Sequence, residues 1–218
     1  EGEDEKFRTL SPAYSHLYLC IAGELAAVIC IHDPLRREAR DAVAALHACG
    51  IGKVVMMTGD NRQTAQAVAR EVGVDAVYAE VLPEDKAAFI RSEKAAGHTV
   101  IMVGDGVNDS PALSEADAGV AISTGAAIAR EIADITIASE DLFELVTLRR
   151  LSQALMARIH RNYRFIVGFN LSLILLGVAG LLPPTTSALL HNMSTLGISL
   201  KSMTDLGPEL PSPTPAER

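Results

Sequence analysis

The sequence predicts an α/β protein: a parallel, Rossmann-like sheet flanked by helices, followed by a long stalk helix and an apolar two-helix hairpin. Three observations predict it. Short apolar runs alternate with helical segments over residues 53–137, the pattern of parallel strands joined by crossover helices. Two of those strands end in small residues and carboxylates, at Thr58-Gly59-Asp60 and at residues 104–109. Finally, residues 165–200 contain no Asp, Glu, Lys or Arg.

The elements follow in order. Residues 1–15 are polar and read as a frayed end or the remnant of something upstream. Runs 17–21 and 25–31 are β-like around Gly23-Glu24, which predicts a hairpin. Asp33-Pro34 starts a helix to about Cys49, with Pro at an early helical position and Gly50 past the end. Strand 53–57, helix 62–72, strand 76–79 and helix 84–96, stopped by Gly97, come next. Strand 99–103, helix 110–116, strand 118–122, helix 125–132 and strand 135–137 complete the alternation. One long helix, 141–164, then leads into the hairpin, with spans at about 162–182 and 185–203. The tail 207–218 is proline-rich and expected to be disordered.

Composition narrows the function. A formal charge of −8 and a pI near 5.2 argue against a nucleic-acid binder, which carries a basic footprint. Cys20, Cys30 and Cys49 show no metal-ligand spacing and suit a reducing compartment. The acidic opening residues have the wrong sign for a cleavable signal. Mean hydropathy is +0.22, concentrated in the uncharged run, which Pro183-Pro184 divides. Each half falls slightly short of the ~20 residues a span needs, unless flanking residues or local thinning help. Arg158, Arg161 and Arg164 precede the first half and Lys201 closes the second, which puts both ends in the cytoplasm. A buried hairpin in a soluble protein is the alternative. Residues 149–164 carry five arginines and no acid, and read as a stalk touching lipid headgroups or as a solvated face.

The strand ends carry the chemistry. Covalent phosphoryl transfer needs a nucleophile, a Mg²⁺ and donors for the equatorial oxygens. Thr58 offers a hydroxyl and a backbone N–H. Lys86 is a mobile point charge at a helix start. Asp105 and Asp109 are hard oxygen ligands suited to Mg²⁺, Asn108 can donate to a phosphoryl oxygen, and Gly104 and Gly106 let the backbone approach closely. Singly, each has a duller role as turn, cap or surface residue. Jointly, at successive crossover ends, they define a phosphate site at one edge of a parallel sheet.

Thr58-Gly59-Asp60, Lys86 and the run GDGVNDSPAL from Gly104 resemble the later motifs of the haloacid-dehalogenase superfamily, and specifically of P-type ATPases. Asp33-Pro34-Leu35-Arg36 resembles their hinge into the phosphorylation domain. The arginine-rich helix and hairpin resemble the last two membrane helices of the heavy-metal-transporting (P1B) branch. The resemblance covers about residues 16–206. It implies an ATP-driven pump using Mg²⁺ and ATP, multi-pass in the plasma membrane with its phosphorylation domain cytoplasmic. Asp105 would hold Mg²⁺ with Asp109 nearby, Lys86 and Asn108 would stabilise the phosphoryl, and Thr58 and Gly59 would bind its oxygens. Asp60 would help position water or structure for dephosphorylation. Asp33 and Arg36 would sit near the hinge that lets the nucleotide-binding domain swing, on the cofactor side with Gly104 and Gly106. Residues 1–30 would end the nucleotide-binding domain, 31–140 would be the phosphorylation domain, and 141–206 the stalk and hairpin.

One departure matters. The family's nucleophile lies in an Asp-Lys-Thr-Gly-Thr motif, and no such run occurs here. The chain therefore reads as the C-terminal portion of a longer pump, whose upstream remainder is its first partner, and the 218 residues alone are expected to be inactive.

The hairpin holds the clues to the ion. Polar residues inside a bilayer are costly and point to function, or they tie helices together. In the P1B branch such positions help line the ion path, which makes Asn170, His191, Asn192, Met193 and Ser194 candidates. Met193 favours Cu⁺, whereas His191 with amide and hydroxyl oxygens suits Zn²⁺, Mn²⁺ or Co²⁺. Two other functions are carried: a soluble phosphatase of the same superfamily, and a non-catalytic membrane-anchored regulatory fragment.

Overall fold

The computed structural model describes residues 15–31, 34–104, 107–122, 131–138 and 141–206. The chain divides into two units, Glu1–Val146 and Thr147–Arg218.

In the first unit, strands β1 (Ser15–Ile21) and β2 (Glu24–Ile31) pair antiparallel. The turn between them is at Ala22 (φ 53) and Gly23 (φ 85). Two successive positive φ values suit the right-handed twist of the flanking strands, and they place the turn one residue earlier than the expected Gly23-Glu24. Helix α1 (Ala39–Ala48) begins later than Asp33-Pro34 suggested. Its buried positions are Ala39, Ala42, Val43 and Ala45, whereas no side chain over 34–38 is buried. Tertiary packing of one face is what stabilises a short helix, and that packing starts at Ala39.

The alternation then unfolds as β3 (Val55–Met57), α2 (Arg62–Val72), β4 (Ala76–Tyr78) and α3 (Pro83–Ala95). Strand β5 (Ile101–Gly104), a 3₁₀ turn over Val107–Asp109, α4 (Ser110–Glu115), β6 (Ala118–Ile122) and β7 (Ile135–Ile137) follow. The helix expected over 125–132 lies mostly outside the described residues, as do Asp33, Asp105, Gly106 and the terminal segments 1–14 and 207–218.

An aspartate stands at the entry of β4, of β6 and of β7 and bonds to the strand before it. Asp75 donates its N–H to the Val54 carbonyl at 2.9 Å and accepts from the Val54 N–H at 2.6 Å. Asp117 does the same with Val100, at 3.0 and 2.8 Å. Asp134 accepts from the Gly119 N–H at 2.8 Å. The result is β3 parallel to β4, with Val55 opposite Ala76, and β5, β6 and β7 parallel in that order.

The expected single sheet is therefore present as two pieces. Strand β3 pairs with β4 and β5 with β6, and among the described residues no strand joins β3 to β5. Among the described residues β3 and β5 each have a partner strand on one side only. Ile90, Leu113, Val120 and Val146 are the largest side chains completely inside this unit.

In the second unit, α5 (Phe143–Val178) runs on from the first, and α6 (Pro184–Ser202) follows a break at Gly180 (φ 72) and Pro183-Pro184. The segments expected as a stalk and as the first apolar half of the hairpin are thus one continuous helix. No helix among the described residues is long and apolar enough to cross a membrane, which departs from the expected spans. The reason is local: the charge-free part of α5 begins only after Arg164, and the helix stops at Val178.

The hairpin buries both apolar and polar groups between its helices and exposes many large apolar side chains. Ala154, Arg158 and Leu173 are buried and Asn162, Asn170, Ser187 and Ser194 half-buried, while Leu171, Ile174, Leu175, Val178, Leu189 and Leu196 are exposed. Asn162 donates to Ser202 at 3.0 Å, and His191 meets Asn170 at 2.8 Å. Polar groups hold the helices together and apolar side chains face outward.

Candidate active site

Thr58 follows β3 directly, and its N–H donates to the Tyr78 carbonyl at 3.0 Å. Its hydroxyl donates to Asp60 Oδ2 at 2.9 Å and accepts from the Asp60 N–H at 3.1 Å. Both donors expected to meet a phosphate are thus engaged within the protein. Asn61 ends the loop by capping α2, its side chain accepting from the Thr64 N–H at 2.9 Å, as an N-cap asparagine does.

The segment just after β4 holds this loop. The Glu80 N–H donates to the Asp60 carbonyl at 2.9 Å and the Val81 N–H to the Thr58 carbonyl at 3.0 Å. Glu80 adopts φ 58 to do so, a left-handed conformation costly for a residue with a Cβ. Sequence reading did not single out Glu80, because nothing in side-chain chemistry marks a backbone conformation. Asp75, Asp117 and Asp134, before β4, β6 and β7, were missed too, although their position gives a readable signal.

Lys86 stands in the first turn of α3, and its Nζ lies 2.8 Å from Asp109 Oδ1. Side-chain exposures of 17% and 12% make this a largely desolvated ion pair, where attraction is much stronger than at the surface. Asp109 packs against Gly104: a Cβ on that glycine would lie 2.7 Å from Asp109 Cβ and 2.8 Å from Oδ2. Asn108 is exposed beside it.

The structure therefore joins the predicted residues into two pairs, Thr58 with Asp60 and Lys86 with Asp109. Among the described residues no hydrogen bond or ion pair links one pair to the other. Gly59 is exposed, and a Cβ there would meet only the Val81 carbonyl, at 3.9 Å. Arg36 is exposed and lines an open recess with Glu38, Asp141 and Phe143.

In the hairpin, His191 and Asn170 meet, and Ser194 donates to the His191 carbonyl at 2.8 Å. Asn192 is exposed and Met193 is 60% exposed. Residues two apart on a helix do not share a face, so Met193 is turned away from His191. Among the described residues no group of three or more His, Cys, Asp or Glu could hold a metal ion.

These features agree with what the chain resembles. A family model described as a haloacid dehalogenase-like hydrolase matches residues 3–117, and the chain belongs to that family. Within it, the resemblance is to the C-terminal portion of heavy-metal P-type ATPases. It is 46% identical over 176 residues to copper-transporting ATPase 2 of Rhizobium meliloti, covering 81% of this chain and 21% of that protein. It is 40% identical over 191 residues to the manganese-exporting P-type ATPase of Mycobacterium tuberculosis, covering 87% and 27%. A crystal structure of a zinc-transporting PIB-type ATPase in the E2.Pi state superposes with a TM-score of 0.79 at 28% identity, covering 93% of this chain and 33% of that one. The chain thus spans about a quarter of the length of these curated relatives.

Proposed function

We propose that this chain is the phosphorylation-domain and terminal-hairpin part of an ATP-driven transition-metal pump that works through an aspartyl-phosphate, with the phosphorylated aspartate on another segment of the pump. The observation that carries the reading is the placement of Thr58-Gly59-Asp60 after β3, which runs parallel to β4, and of the Lys86–Asp109 pair at the turn after β5, which runs parallel to β6. Among the described residues β3 and β5 each have one edge without a partner strand, so one strand from elsewhere in the pump could pair with both and present its own end between them.

The residues then divide the work. Lys86 neutralises a phosphoryl oxygen, and Asp109 holds its ammonium in place. Asn108, exposed at the same turn, donates to a second oxygen. The Gly59 N–H supplies a third donor, and Thr58 adds its hydroxyl by rotating away from Asp60. Asp60 is then free to orient water for dephosphorylation. The carboxylate chemistry of Asp109 and of Asp105 fits a hard cation. Mg²⁺ held there would neutralise charge between the phosphoryl and the attacking carboxylate.

The hairpin is read as membrane-embedded. Its support is the outward apolar surface and the polar seam, the distribution that a lipid solvent favours; the short apolar lengths call for bilayer thinning or flanking residues. Asn170, His191 and Ser194 are read as part of the ion path, with Asn192 and Met193 off the seam. A His191 that donates Nδ1–H to Asn170 keeps its Nε2 lone pair for a metal. That favours a borderline divalent ion such as Zn²⁺, Mn²⁺ or Co²⁺ over Cu⁺.

The test is ATP hydrolysis by the complete pump against Cu⁺, Zn²⁺, Co²⁺ and Mn²⁺. Stimulation by one or more, with acid-stable phosphate on the pump and none on the 218-residue chain, is expected. Label on the chain itself, or hydrolysis indifferent to every ion, refutes the proposal.

A further inference from the structure

Arg158 lies midway along α5 and is 4% exposed. Burying a guanidinium is costly unless its N–H groups find acceptors. Here one arm donates to the Thr204 carbonyl at 2.6 Å and the other to the Asp205 carbonyl at 2.8 Å. Both carbonyls stand just beyond the end of α6, where helix carbonyls run out of partners and the dipole is negative. Thr204 folds back on the last turn, donating its N–H and hydroxyl to the Lys201 carbonyl at 3.2 and 2.7 Å. One turn further along α5, Asn162 binds Ser202 at 3.0 Å. By contrast Arg161 and Arg164 are exposed, so Arg158 is not one of the arginines that face headgroups.

We propose that Arg158 is a positioning residue that latches the segment after α6 onto α5. Displacement of α5 is thereby delivered to the helix that carries His191, rather than dissipated at a fraying end. The planar guanidinium reaches the two carbonyls with separate nitrogens; a lysine keeps the charge but must reach both from one nitrogen on a flexible stem. The transport role rests on the pump reading above, whereas the latch does not.

Two measurements test it. Hydrogen exchange on the chain in lipid nanodiscs compares wild type with Arg158→Gln and Arg158→Lys. Loss of a charged double donor is expected to speed exchange of the amides of Met203, Thr204 and Asp205 about tenfold in R158Q, with R158K in between and the middle of α5 unchanged. Wild-type protection at those amides in R158Q overturns the latch. Should R158Q not fold, wild-type protection in R158K does so. In the complete pump, both variants are expected to move less metal per ATP hydrolysed, with the KM for ATP unchanged. Unaltered metal moved per ATP in both overturns the coupling role. A wild-type pump without metal-stimulated hydrolysis removes the pump reading and the coupling together, and leaves the latch to be decided by exchange alone.

Discussion

Lys86 Nζ and Asp109 Oδ1 lie 2.8 Å apart across the start of α3 and the turn after β5, in surroundings that leave both side chains mostly covered. Removing one partner strands the other charge. Lys86→Ala is expected to cost about 3 kcal/mol, read as a lower urea midpoint, and Lys86→Ala with Asp109→Ala together less than the sum of the two singles. Additive losses would show that the pair does not act as a unit.

Gly104 is the seat on which Asp109 rests. A methyl group there would lie 2.7 Å from Asp109 Cβ, so Gly104→Ala must push the carboxylate aside. Overpacking of this kind costs about 1–3 kcal/mol. In the complete pump the same change is expected to raise the Mg²⁺ concentration needed for half-maximal phosphorylation. An unchanged Mg²⁺ dependence would separate Asp109 from the cation.

Asp117 has a carboxyl held below its usual 3.8, first by the N–H of Val100 and further by Lys94, with desolvation opposing. A depressed native value means that the contribution is complete above the unfolded pKa and is lost as pH falls through the native one. Asp117→Asn should therefore flatten the acid limb of stability below about pH 4, with less change at pH 7 than a buried substitution. Parallel acid limbs for the two proteins would contradict this.

Glu80 holds φ 58, where glycine carries no steric penalty. Glu80→Gly is expected to raise the melting temperature, the equivalent of about 1 kcal/mol. Glu80→Val should lower it and loosen amide protection at Asp60. A stabilising valine would show that the backbone is not set by this residue.

His191 and Asn170 join the two helices at 2.8 Å. If they line the ion path, His191→Ala and Asn170→Ala in the complete pump should raise the metal concentration for half-maximal hydrolysis, while Met193→Leu, on another face, should not. A Met193 effect equal to that of His191 would reverse the assignment to a borderline ion.

How far these features were legible depends on the kind of force involved. Helix 62–72 and strands 118–122 and 135–137 read correctly to the residue, because periodicity and caps such as Asn61 are local. The start of α1 did not, because packing at Ala39 outweighed the proline signal. Thr58, Lys86 and Asp109 were singled out by their chemistry, but the pairing of Thr58 with Asp60 needed the fold. That no described strand joins β3 to β5 was also hidden, because hydrogen bonding across a sheet depends on which segments lie side by side. Arg158 was read as a surface charge, since sequence alone does not tell which arginine turns inward.

Strand β5 leaves Ile101 and Val103 partly bare, at 45% and 38% exposure, along a row of backbone groups that no other described strand pairs with. Such a border is adhesive. A purified sample should self-associate through it, and a short synthetic peptide with the right alternation should act as a plug, slotting in and restoring monodispersity.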